Sequence, residues 1–316
     1  MAMHVDEVPI DDAVVLRLIG EQFPEWRREP VRRVASSGTV NAIYRIGDGL
    51  AARFPLRADD LTDIVGERAR EVAAMRELAE CSPVPTPVPV ALGSPGHGYP
   101  LPWSVQTWLA GEVATPDGLA GSQCFARNLA ELLIALRAAD TRGRGFPGAG
   151  RGGRLLDSDD WMEVCFRESE GLLPVDRLRA LWSGFRSLPQ ATTVVMSHRD
   201  LIPANVLVAG ERLAGVLDGG DFAPADPALD LVAAWHMLDG DARGIFRSVL
   251  GCDDAEWLRG AGWAFQQAMG LPWYYRESNP EMSGLGLSTL ARILDDHDVA
   301  DGLRRLASTE RGLRTG

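Results

Sequence analysis

The run MSHRDLIPANVLVAGERLAGVLDGGD, residues 196 to 221, constrains the fold more than any other part of the chain. Its apolar ends, Met196 and the stretch from Val206 to Val208, belong in a core. Its centre holds His198, Arg199, Asp200 and Asn205, which must keep polar company. VLVAGERLAGVLD reads as a small hairpin turning at Gly210, since two runs of β-formers flank a turn residue. A hairpin there returns Asp218 toward Asp200 and Asn205. Two carboxylates and an amide oxygen form a hard oxygen cluster, which suits Mg²⁺ together with substrate phosphates. A carboxylate beside such ligands is also placed to accept a proton from an attacking hydroxyl.

The chain around this run has 316 residues, beyond the size at which one core usually stops growing, so two lobes are expected. VRRVASSGTVNAIYRIGDGLAARFPL, 31 to 56, alternates β-formers with turn residues and predicts three short antiparallel strands. Before it, Asp11 and Asp12 cap a helix over AVVLRLIGEQF; after it, residues 60 to 79 have helical spacing, with Ile64, Val72, Met75 and Leu78 near one face. The prolines of CSPVPTPVPV enforce an extended path, followed by strands near 88 to 92 and over 103 to 109. From about residue 122 the pattern turns helical, over GSQCFARNLAELLIALRAAD and then 174 to 187, 228 to 238, 241 to 250, 253 to 269 and 284 to 296. TRGRGFPGAGRGGR, Gly/Arg-rich, reads as a flexible loop. The expectation is an α+β fold with two lobes, 1–110 rich in β and 111–316 mostly helical.

The formal net charge of −12 argues against nucleic acid as partner and suits a cationic small molecule, although much of it is simply an acidic surface. All 32 residues counted as Lys or Arg are arginine, so a role that calls for an ammonium group falls to a guanidinium. Cys81, Cys124, Cys165 and Cys252 are far apart and read as thiols, not as a zinc site or disulfide framework. MAMHVDEVPIDD has no apolar segment of the secretory kind, and no run is long enough to span a bilayer, so a cytoplasmic location is expected.

HRDLIPAN resembles the H-x-D-x-x-x-x-N catalytic loop of the kinase-like superfamily, and DGGD with DPALDL (226 to 231) resembles the small-molecule branch, the aminoglycoside phosphotransferases. SGTVNAIYRIGD, GYPLPWSVQTWLAGE and LPWYYRESNP extend the likeness over most of the chain. The resemblance implies a protein-kinase-like fold that transfers phosphate from ATP or GTP to a small-molecule hydroxyl. It makes Asp200 the catalytic base at the acceptor, Asn205 and Asp218 the Mg²⁺ ligands, and Asp221 a substrate contact or loop brace. Ser37, Gly38 and Thr39 would cover the phosphates, and Arg53 would bind them in pair with Glu71, Glu67 being the alternative. Gln106, Thr107, Trp108 and Leu109 would form the hinge that reads adenine. Two positions depart from the family pattern. Arg53 replaces a lysine, which keeps the charge and changes its reach. Arg199 replaces a glycine, with a salt bridge to a carboxylate as the simplest expectation.

Plainer readings stand beside these. His198 is expected to be a hydrogen-bonded core residue, and Asp226 and Asp230 to cap the next helix and brace the catalytic loop. Most of Trp235, Trp257, Trp263, Trp273, Tyr274 and Tyr275 should be core, with one or two flooring a pocket. Asp157, Asp159, Asp160 and Glu163 make a solvated helix start or, more sharply, a dock for an amine. The leading acceptor is an aminoglycoside; a macrolide, an amino alcohol or an inactive nucleotide-binding module are the alternatives. The protein is expected to be a monomer or homodimer.

Overall fold

The structure is a computed structural model that describes residues 8–34, 41–57, 64–148 and 150–314. Helix α1 (Asp12–Gln22) starts where Asp11 accepts a bond from the Val14 N–H at 2.8 Å, as its sequence predicts. Strands β1 (Val31–Arg33), β2 (Asn41–Ile46) and β3 (Leu50–Pro55) follow, then helix α2 (Ile64–Cys81) and strands β4 (Pro89–Gly93) and β5 (Trp103–Thr107). These strands make one antiparallel sheet in the order β1-β2-β3-β5-β4. Along β2 burial alternates, with Ala42, Tyr44 and Ile46 inside. Phe54 stacks on Trp103 with centroids 4.6 Å apart, and Gly93 has no side chain because a Cβ there would lie 2.0 Å from the Trp103 ring.

The rest of the chain is mainly helical. After β6 (Glu112–Val113) come α3 (Gln123–Ala138), α4 (Asp159–Glu168) and α5 (Val175–Phe185). Four short strands follow: β7 (Val195–Ser197), β8 (Val206–Ala209), β9 (Arg212–Val216) and β10 (Ala223–Ala225). Then come α6 (Val232–Met237), α7 (Gly240–Leu250), α8 (Asp254–Met269), α9 (Leu271–Tyr274), α10 (Pro280–Asp295) and α11 (His297–Arg314). The expected hairpin is β8–β9, with Gly210 at a left-handed φ of 59° in its turn. Two pairings lay outside the sequence reading: β6 adds to the hairpin, and β10 pairs with β7. A large core joins α3, α6, α8 and the hairpin; a second, separate core lies under the five-stranded sheet. The proline segment runs extended along the hairpin, where Val216 N–H donates to the Pro85 carbonyl at 3.0 Å. This is a mixed α+β architecture with a β-sheet lobe and a helical lobe. Among the described residues, no helix is long and apolar enough to cross a membrane.

The loop after α3 departs from the flexible segment expected. Arg144 donates to Glu77 of α2 at 2.6 Å, and Asp226 N–H donates to the Gly152 carbonyl at 2.8 Å. Gly152, at φ 107°, packs where a Cβ would lie 2.6 Å from that of Ala225. Both ends of the loop are therefore tied down by contacts between residues distant in sequence.

Candidate active site

Asp200, Asn205 and Asp218 are placed by three short pieces of structure. Asp200 follows β7, Asn205 ends the 3-10 turn Pro203–Asn205 that leads into β8, and Asp218 follows β9. Leu217 N–H donates to the Asn205 carbonyl at 2.8 Å and clips the two ends of the hairpin together. Asn205 Nδ2 donates to the Asp200 carbonyl at 2.9 Å and to Asp200 Oδ2 at 3.0 Å. Asp218 adopts the left-handed region at φ 59°, an uncommon conformation for a non-glycine residue and one that clusters at functional sites. The next residues, Gly219 and Gly220, let α2 close in: a Cβ on Gly219 would lie 2.3 Å from Leu78, and one on Gly220 2.6 Å from Glu71.

The turn thereby meets the sheet. Arg53 alternates along β3 with buried Ala52 and Phe54, so its side chain leaves by the opposite face. There its Nη2 donates to Asp218 Oδ1 at 2.6 Å and its Nη1 to Glu71 Oε1 at 3.4 Å. Of the two helix glutamates considered, Glu71 is the one that pairs with Arg53. Arg68, which the sequence reading did not single out, holds Glu71 from the other side at 2.5 Å. The Arg53 guanidinium draws the Asp218 carboxyl below its ordinary range, outweighing the upward push of burial. Asp200 moves the other way: burial raises it, against the opposing pull of Arg151 and His198, and the charges of Asp218 and Asp221 add to the rise.

The loop itself is braced by Asp230, which accepts from the N–H groups of His198 (2.7 Å) and Arg199 (2.9 Å). His198 is fully buried and its Nε2 bonds the Leu217 carbonyl at 2.8 Å, a structural role. Arg199 sits at φ 72°, a conformation in which glycine is unstrained. Its N–H bonds to Asp230 hold it there, and its Nη2 donates to the Arg151 carbonyl at 3.2 Å. Asp226 lies deeper, accepting from Ala228 N–H, the Arg259 guanidinium and Trp263 Nε1.

Ser37, Gly38 and Thr39 lie outside the described residues. Gln106 and Thr107 end β5, followed by Trp108 and Leu109. The N–H of Thr107 donates to Val88 O at 3.0 Å and that of Trp108 to Gly49 O at 2.8 Å. Two of the hinge donors are thus committed to the protein itself. Three carboxylates of the helix-start cluster are also committed: Asp157 to Arg154, Asp159 to Arg186 and Trp182, and Glu163 to Arg179. Trp235, Trp257 and Trp263 are core, while Tyr274 is exposed in a row of rings that runs from Trp161 through Trp273 to Tyr275.

Arg151, like Arg68, is a residue at the candidate site that sequence reasoning missed. Its Nη2 donates to Asp200 Oδ1 at 2.6 Å across 49 residues of chain. A run of glycines around arginine in an otherwise helical lobe was the available signal, because glycine permits close backbone approach.

A β-sheet lobe over a helical lobe, with a carboxylate-and-amide cluster where they meet, defines a kinase-like phosphotransferase. Residues 31–264 match the Phosphotransferase enzyme family (APH), well over half of the chain, and the protein belongs to that family. No curated protein sequence matches it significantly. Several solved structures share the fold at low sequence identity. The GDP and kanamycin complex of APH(2")-IIia matches at 19% identity and TM-score 0.65, over 91% of this chain and 98% of that one. Macrolide 2'-phosphotransferase MphH from Brachybacterium faecium matches at 16% and 0.58, over 89% and 98%. The streptomycin-ATP-APH(2")-IIa ternary complex matches at 16% and 0.54, over 90% and 96%.

Proposed function

We propose that the protein transfers the γ-phosphate of ATP or GTP to a hydroxyl of an aminoglycoside. The observation that carries this reading is the contact of Arg53 with Asp218, which joins the sheet lobe to the turn beside Asp200 at one polar seam. Residues 1–110 serve as the nucleotide lobe and 111–316 as the catalytic and acceptor lobe. The Arg53 guanidinium, steadied by Glu71, binds nucleotide phosphates, and Ser37, Gly38 and Thr39 cover them. With Gln106 and Thr107 within the sheet and the Trp108 N–H engaged, adenine contacts fall to the remaining backbone groups of Trp108 and Leu109.

Two side chains fit a divalent cation. Asn205 spends its amide nitrogen on Asp200, which leaves its oxygen as the group that would take the cation, and half-exposed Asp218 has a second oxygen beyond the one Arg53 holds. Among the described residues no group of three or more His, Cys, Asp or Glu would hold a metal alone. That suits Mg²⁺, which binds through one or two carboxylates plus substrate phosphates. When bound it supplies neutralisation of phosphate charge. Asp200 orients the acceptor hydroxyl and accepts its proton, and Asp221 contacts the acceptor or steadies the turn.

A macrolide is the second reading for the acceptor. It is favoured by Arg151, since a guanidinium 2.6 Å from Asp200 makes the cleft beside the base less acidic than a polycation would call for. The class-level test is a panel of aminoglycosides, macrolides and amino alcohols with ATP or GTP and Mg²⁺, read by nucleoside diphosphate release. Transfer that is lost in Asp200→Ala while nucleotide still binds supports the reading. An Asp200→Ala variant with full turnover overturns it.

A further inference from the structure

Asp200 has both carboxylate oxygens engaged. Oδ2 accepts from Asn205, which is held in the 3-10 turn Pro203–Asn205 just after it, and Oδ1 accepts from Arg151. Each oxygen can accept a second bond, yet a carboxylate paired with a guanidinium is a poor proton acceptor, so one of these bonds must loosen for Asp200 to act as the base. The Asn205 bond is built into the turn, so the Arg151 bond is the one that yields. The backbone at Arg151 does not yield with it. The Arg151 carbonyl takes the Arg199 Nη2, the Gly152 carbonyl takes the Asp226 N–H, and Gly152 packs against Ala225 with no space for a side chain. Gly153 is pressed in the same way against Phe146. The Arg151 side chain itself is more than one-third exposed, which leaves it room to turn from this fixed base.

We propose that Arg151 is a catalytic residue, resting on Asp200 and turning onto the transferring phosphoryl group when the acceptor hydroxyl, or a water in its place, takes up that position. This rests on the phosphotransferase reading above. In the step, the acceptor oxygen forms a bond to the γ-phosphorus and the bond from that phosphorus to the β–γ bridging oxygen breaks. The acceptor proton passes to Asp200, and the nucleoside diphosphate leaves. Charge spreads over the equatorial phosphoryl oxygens in the transition state, and a guanidinium fork matches them as an ammonium does not. Arg53 is already divided between Asp218 and Glu71 on the nucleotide side. Arg151 approaches from the acceptor side, next to the base.

The test compares wild type with Arg151→Ala and Arg151→Lys in two measurements. One is steady-state transfer to whichever acceptor the panel identifies. The other needs no acceptor: the affinity for ADP or GDP with Mg²⁺, with and without aluminium fluoride, which imitates the transferring phosphoryl group. In Arg151→Ala, kcat falls about 100-fold, while the nucleotide KM stays within about threefold, since the contact is made only in the transition state. The same variant loses most of the tightening that aluminium fluoride gives to wild type, and Arg151→Lys recovers part of both. Thermal melting is unchanged.

A kcat within about threefold of wild type, with the fluoride effect intact, overturns the proposal. So does a change confined to acceptor KM, which would make Arg151 a ground-state contact. A rise in kcat would make the pair with Asp200 a plug and also overturns it. If no acceptor is found but the fluoride effect depends on Arg151, the acceptor assignment fails and the role of Arg151 stands. If wild type shows neither transfer nor a fluoride effect, the phosphotransferase reading fails and takes this proposal with it.

Discussion

Arg53 and Asp218 are 165 residues apart in the chain, and a 2.6 Å hydrogen bond joins them. One sits on the central part of the sheet and the other at the end of a hairpin in the helical lobe. The pair sets the position of both lobes' charged groups around the seam, and its two halves have separable uses.

Arg53→Ala should raise the nucleotide KM at least tenfold, with melting nearly unchanged. The pair is partly exposed, so its share in stability is small. Arg53→Lys should recover part of the affinity, because one ammonium cannot serve both Asp218 and Glu71 as two guanidinium nitrogens do. Isothermal titration with ADP and Mg²⁺ checks this; equal affinity in all three proteins would exclude Arg53 from the phosphate site.

Asp218→Asn should weaken Mg²⁺ dependence and turnover together, leaving the fold intact. The amide keeps the shape but loses the charge that suits a hard cation. Activity titrated against Mg²⁺ should show a higher half-saturating concentration than wild type. An unchanged titration would mean the metal is held elsewhere.

Asp226→Ala should destabilise the protein by about 3–5 kcal/mol, because it leaves a buried guanidinium without its partner. Asp226 and Arg259 are both buried, and Trp263 shares the carboxylate. The urea midpoint should fall accordingly; a shift under about 1 kcal/mol would show that Arg259 finds another partner.

Acid should act through His236. The imidazole is fully buried between Thr289 and Gln267, and burial pushes its pKa down to about 4. In the unfolded chain it protonates near pH 6.5, while in the folded protein it stays neutral until about pH 4. Above pH 6.5 it contributes no pH dependence, and stability is lost as pH falls through the window between the two values. About 2 kcal/mol should be gone by pH 5. His236→Gln should flatten the urea midpoint between pH 7 and 5 relative to wild type; parallel curves would exclude this group.

Much of the architecture was legible because it rests on local chemistry. Asp11 before an amphipathic run caps α1, alternation buries Ala42, Tyr44 and Ile46, and Gly210 turns the hairpin. Those signals lie within a few residues of their effect. The polar run HRDLIPAN sat between apolar flanks because β7 and β8 bury both ends. The strand β10 was harder to see: APA is three residues long, contains a proline, and is a strand only because β7 lies beside it. The short helix α9 and the terminal α11 were missed likewise, the first being four residues long.

What the amino-acid order determined by itself is which groups stand as candidates for chemistry: Asp200, Asn205, Asp218 and the guanidinium at 53. Only the tertiary structure decided who meets whom. It selected Glu71 over Glu67, paired the helix-start acids with their own arginines, and set Arg151 on Asp200. The reason is physical. A helix cap or a strand's alternation is governed by neighbours a few bonds away, whereas a side chain's partner across 49 or 165 residues depends on how whole elements pack, and glycines at 152, 219 and 220 permit that packing without announcing what they admit.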